Sequence, residues 1–170
     1  MANSTTMIGI YEDVSDANRA VTRFHEEGFT SEQISIIVSD TTKAKHLAFE
    51  TGTKAPEGTA GGAIVGGALG AIVAGLTAVA GIVVPGVGLA IAGPLVAALA
   101  GLGVGGAVGG LVGGLVGLGF NETEAKFVED AVKDGHIIIA VTDEDSEQMT
   151  VAHGVFESTK ARNISKTRTT

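Results

Sequence analysis

His136-Ile137-Ile138-Ile139-Ala140-Val141 is the most apolar strand candidate outside the uncharged centre of the chain. A short unbroken apolar run suits a strand covered on both faces, which places it in the interior of a sheet. After it, Asp145 and Gln148 have capping-box spacing, and Met149, Ala152, Val155, Phe156 and Thr159 mark one helical face. Asn163-Ile164-Ser165 then reads as a weak edge strand. Before it, Asn121 with Glu124 at N3 opens a helix whose apolar face is Phe127, Val128, Ala131 and Val132, and Gly135 closes it.

The N-terminal flank has the same order. Met7-Ile8-Gly9-Ile10-Tyr11 predicts a strand, with Ile8 and Ile10 on one face. Ser15 is the expected N-cap of a helix carrying Ala17, Ala20, Val21 and Phe24 at helical spacing, and Gly28 is its C′ residue. Ile34-Ser35-Ile36-Ile37-Val38 is a second strand. Two such βαβ halves predict an α+β protein: a ferredoxin-like βαββαβ domain with a long apolar glycine-zipper helical hairpin inserted between the second and third strands. Two lobes with no shared sheet are the alternative. The expected division is 1–42 for the first half, 43–59 for a short helix and linker, 60–119 for the hairpin, 120–135 for a connecting helix, and 136–170 for the second half with a basic tail.

The chain has 170 residues and a net charge of −8. Between Glu57 and Glu122 lie 64 residues without a charge, holding 21 of the 26 glycines. Ala60–Val84 and Leu95–Gly119 are apolar runs of 25 residues each, joined by a connector from Pro85 to Pro94. As a helix each would cover ~37 Å, more than the ~30 Å hydrocarbon core of a bilayer. Gly101, Gly105, Gly109, Gly113 and Gly117 form a four-residue ladder, and Gly106, Gly110 and Gly114 a second beside it. Gly62, Gly66 and Gly70 begin the same pattern in the first run. Small residues at this spacing let helix backbones approach closely, and two adjacent ladders allow two close neighbours. These eight glycines of the Gly62 and Gly101 ladders are the expected helix-packing and oligomerisation positions. The connector, with Pro85, Gly86, Gly88, Gly93 and Pro94, is the expected hairpin turn; it has no polar side chain, which a loop emerging into water would normally carry.

Against this pattern the sequence resembles the bacterial heat-induced general-stress-protein family. The resemblance rests on Val84-Pro85-Gly86-Val87-Gly88, on Ala92-Gly93-Pro94-Leu95, and on the stretch from Gly117 to Ala125, within the order βαβ, glycine zipper, acidic helix, apolar strand. It covers about residues 7–165 and implies a stress-associated role. It brings no catalytic residues with it.

Other chemistry finds little support. An acidic chain is a poor general nucleic-acid binder, because neutralising phosphates supplies most of that affinity. Zero cysteines exclude a disulfide scaffold, a thiolate metal site and a Cys nucleophile. Gly101–Gly106 satisfies G-x-G-x-x-G, but it lies inside the zipper with no strand before it. His25, His46, His136 and His153 share no metal spacing. Asp143, Glu144, Asp145 and Glu147 lack the calcium-loop pattern and sit where acids favour a helix start. Lys160, Arg162, Lys166 and Arg168 form a basic tail, suited to anionic headgroups or to deterring edge-to-edge pairing. Met1 to Met7 does not read as a secretory signal.

The expectation is therefore a non-enzymatic protein without a cofactor, metal, nucleic-acid partner or small-molecule substrate. It buries its hairpin in a membrane as a homo-oligomer, from the cytoplasmic face. The alternative is a cytoplasmic self-assembly, a large multimer or filament, with hairpins buried between subunits and no lipid.

Overall fold

A computed structural model describes residues 4–39, 82–84, 89–92 and 109–169. In chain order the elements are β1 (Ser4–Tyr11), α1 (Val14–Glu26), β2 (Ile34–Ser39), β3 (Ile82–Val84), β4 (Leu89–Ala92), α2 (Gly109–Gly117), α3 (Glu122–Lys133), β5 (Ile137–Asp143), α4 (Ser146–Ser158) and β6 (Arg162–Thr169).

The strands form one sheet in the order β3-β4-β2-β5-β1-β6. Every neighbouring pair is antiparallel. The β5 strand of the second half lies between β1 and β2 of the first, with Ile138 opposite Ile10 and Ile139 opposite Ile36. The two flanks therefore share a sheet, and β2-β5-β1-β6 is the order of a split βαβ unit.

Strand parity explains why β5 is apolar throughout. Ile137, Ile139 and Val141 face a core with α1 and α4, built on Phe24, Met149 and Phe156. Ile138 and Ala140 face a second core with Leu111 and Leu115 of α2 and with Val128 and Val132 of α3. Successive side chains in a strand point to opposite faces, so cover on both sides requires apolar residues at every position.

The four described helices stop in the same way. Gly28, Gly119 and Gly135 have positive φ, and so does Lys160 at 65°. In each case the next residue's N–H donates five residues back: Phe29 to Phe24 O, Phe120 to Leu115 O, His136 to Ala131 O and Ala161 to Phe156 O. These are Schellman ends, which satisfy carbonyls that the helix leaves open.

Several local expectations change. Asp13, not Ser15, caps α1, accepting from Ser15 N at 2.7 Å. Asp13 stands one residue before the first helical position, Val14, with extended backbone, where its carboxylate reaches the open N–H groups of the first turn. Asp145 caps α4, but Gln148 does not close a box: Asp143 Oδ1 holds Asp145 N at 2.8 Å instead. The basic tail is largely strand, because β6 pairs with β1 from Ser4 opposite Thr169 to Ile10 opposite Arg162. The end of the first apolar run and part of the connector are also strand, with Ile82 opposite Ile91 and Val84 opposite Leu89. Three β-branched residues before a Pro-Gly pair favour a β-hairpin over a continuing helix.

Candidate interaction surface

The face of the sheet opposite α1 and α4 is where the uncharged tract meets the folded domain. The second apolar run ends in α2, nine residues of which five are glycine. Each glycine costs ~1 kcal/mol relative to alanine in a helix, so burial must offset several kcal/mol. Leu111 and Leu115 supply it, at 3% and 0% exposure against Ile8, Ile10, Ile37 and Ile138. Each such side chain contributes ~1.5–3 kcal/mol on leaving water.

The turn after α2 is fastened to the sheet edge. Gly119, at φ 100°, ends the helix, and Phe120 is buried beside Leu111 and Leu115. Thr167 Oγ1 of β6 donates to Gly119 O at 2.8 Å. A Cβ at Gly119 would meet that oxygen at 3.0 Å and Arg168 O at 3.4 Å. Asn121 then starts α3 with a full capping box: its side chain accepts from Glu124 N at 2.8 Å, and Glu124 accepts from Asn121 N at 3.4 Å.

Docking of α2 separates the two glycine ladders. Gly114, of the Gly106 ladder, is buried toward the domain. Gly113 and Gly117, of the other ladder, are exposed. A Cβ at Gly113 meets no described atom within 4 Å. Val116, between Gly113 and Gly117, is 44% exposed. The outer face of α2 is thus apolar and glycine-rich, with Val116 its exposed side chain, and no described residue packs on Gly113.

The remaining expected packing positions, Gly62, Gly66, Gly70, Gly101 and Gly105, lie outside the described residues. So do the turn positions Pro85, Gly86, Gly88, Gly93 and Pro94, and residues 43–59. The elements on either side of Pro85, Gly86 and Gly88 in the sequence, β3 and β4, are paired strands and not helices. Neither spacing nor composition links Thr167 to Gly119, 48 positions away in the chain.

The polar clusters are committed to the fold. Asp143 accepts from Asp145 N and from the Gln33 amide, and Asp145 accepts from Glu147 N. These contacts anchor the start of α4 and the end of β5. His153 Nδ1 lies 3.6 Å from Glu157, and His25 Nε2 3.2 Å from Ser31 Oγ. Among the described residues no three His, Cys, Asp or Glu side chains gather as a metal set, and no helix is long and apolar enough to cross a membrane.

The N-terminal stretch, from β1-α1-β2 on to β3, is the part that relates this chain to known proteins. Residues 6–83 match the family model of the heat induced stress protein YflT domain. The resemblance to heat-induced general-stress proteins is therefore shown over this span. The matched model is that of a stress-protein domain, and the match spans 78 of the 170 residues. No curated protein and no solved structure matches the chain.

Proposed function

We propose that this is a non-enzymatic, stress-associated protein that assembles with copies of itself through the outer glycine face of α2. The observation that carries the reading is the split between the ladders. Leu111 and Leu115 hold α2 on the sheet, and Gly113, Gly117 and Val116 are left outward, where a second helix backbone could approach closely. In this reading the domain keeps an apolar tract dispersed until subunits cover one another.

The docking of α2 favours assembly without lipid over a membrane hairpin. With α2 on the sheet, the second apolar run retains Leu95–Val108 for a span, 14 residues. That is about 21 Å of helix, short of the ~30 Å hydrocarbon core. The strand pairing of Leu89–Ala92 with β2 also brings part of the connector to the sheet edge instead of a distant tip. Membrane insertion as a homo-oligomer would require α2 to leave its core.

Carbonate extraction of cells expressing the full chain, followed by size-exclusion chromatography, tests this. The expected result is intact protein in the extracted soluble fraction as particles larger than a monomer. Recovery with the carbonate-washed membrane would establish the lipid-embedded hairpin instead. A monomer in the soluble fraction would overturn both forms of the proposal.

A further inference from the structure

Strand β6 closes the sheet, and among the described residues no strand lies beyond it. It is eight residues long and carries Arg162, Lys166 and Arg168, all exposed, with no acidic residue. Arg162 is neutralised by Glu12 at 2.6 Å. Lys166 and Arg168 form no ion pair among the described residues. They stand opposite Met7 and Thr5 of β1, two positions apart and so on one face of the sheet. The strand is braced from behind by the Thr167–Gly119 hydrogen bond. An edge strand presents unpaired N–H and C=O groups, which an extended chain can take up by adding a strand.

We propose that β6 is a docking edge for an extended acidic peptide segment of another protein, with Asp or Glu at alternate positions. Strand addition sets a partner's alternate side chains beside Lys166 and Arg168, about 7 Å apart along the strand, and opposite charges at such cross-strand positions attract. A second copy of β6 is a poor occupant, since antiparallel self-pairing sets cations against cations. None of the described strands of this chain carries alternating acids, so a copy of another strand is no better suited. An anionic membrane would draw on cations spread over a plane, whereas the two free cations here follow one strand.

The test is fluorescence anisotropy of a labelled peptide of alternating Glu and Val, titrated with the full chain at about 0.15 M salt. Saturable binding is expected. K166E/R168E should weaken it by about tenfold, with an unchanged circular dichroism spectrum. Methylating alternate backbone nitrogens of the peptide, which keeps every charge and removes N–H donors, should abolish it. No binding, equal binding of a peptide with the same residues in one acidic block, or indifference to K166E/R168E would each overturn the proposal. So would capture of the chain by phosphatidylserine vesicles through these two cations with no peptide binding.

Discussion

A Cβ built at Gly9 would stand 2.4 Å from Cδ1 of Phe156. Gly9 lies in the middle of β1, opposite Ile139, where the β1–β6 register shifts. The missing side chain lets the Phe156 ring lie against the strand backbone, where it meets Phe24 edge-on at 5.0 Å. Gly9 is a packing glycine, required by the ring that occupies its side-chain space.

Gly9→Ala is therefore expected to destabilise the domain by about 1–3 kcal/mol, the usual range for overpacking. Urea denaturation measures it. Phe156→Leu in the same chain should recover part of the loss, so the double variant should lie above the sum of the single effects. A Gly9→Ala protein as stable as the parent would show that the ring is not held there.

The end of α4 predicts the opposite sign. Lys160 occupies the left-handed position that Gly28, Gly119 and Gly135 occupy in the other helices. A side chain with a Cβ costs roughly 1–2 kcal/mol in that conformation. Lys160→Gly should raise stability by about 1 kcal/mol, less the added freedom of glycine in the unfolded chain. Gly119→Ala should lower it, because Gly119 combines positive φ with the close Thr167 oxygen. Thermal unfolding of the two variants would show shifts in opposite directions.

Tyr11 predicts a loss of stability in alkali. The Thr159 hydroxyl donates to Val155 O at 2.7 Å, so its oxygen accepts from Tyr11 Oη, also at 2.7 Å. Burial pushes the Tyr11 hydroxyl well above its usual range, and Asp16 adds to it. A raised folded pKa means that the folded state holds its proton after the unfolded chain has released it. Its contribution is full below about pH 10 and declines above it, by up to ~1.4 kcal/mol per pH unit. Tyr11 is the single tyrosine and there is no tryptophan, so phenolate absorbance reports it alone. Ionisation should coincide with unfolding, and Tyr11→Phe should flatten the alkaline decline in stability.

For assembly, Gly109→Leu and Gly113→Leu should dissociate oligomers while leaving the sheet domain folded. A Cβ at Gly113 meets no described atom within 4 Å, so leucine there should favour the isolated helix, by up to ~1 kcal/mol of propensity. Gly88→Leu, between β3 and β4, is the contrasting substitution and should perturb assembly less. Size-exclusion and cross-linking of the three variants measure this. Unchanged oligomers in Gly113→Leu would rule out the outer ladder as a contact.

Much of the domain was legible because its signals are local. The Asn121–Glu124 box, the stops at Gly28 and Gly135, and the continuous apolar run of β5 each follow from neighbouring residues and ordinary backbone preference. The misread positions are those where two good local choices compete. Asp13 and Ser15 are both cap residues, and the geometry of the turn after β1 selects the first. Lys160 carries no turn signature, and it is driven into its conformation by the chain's need to leave α4 and enter β6.

The candidate surface lay half within reach of the sequence. The four-residue spacing by itself determined that two glycine stripes run side by side along one helix. It could not say which stripe faces the protein, because glycines on either stripe present the same surface to a neighbour. Tertiary structure decided that, through Leu111 and Leu115: their burial against Ile8, Ile10 and Ile138 turns Gly114 inward and Gly113 outward. In the same way composition determined that residues 58–121 avoid charge. Only the sheet decided that Ile82–Val84 and Leu89–Ala92 are strands, because backbone donors and acceptors along β2 are met by β4 across the ladder, a partnership some 55 residues distant in the chain.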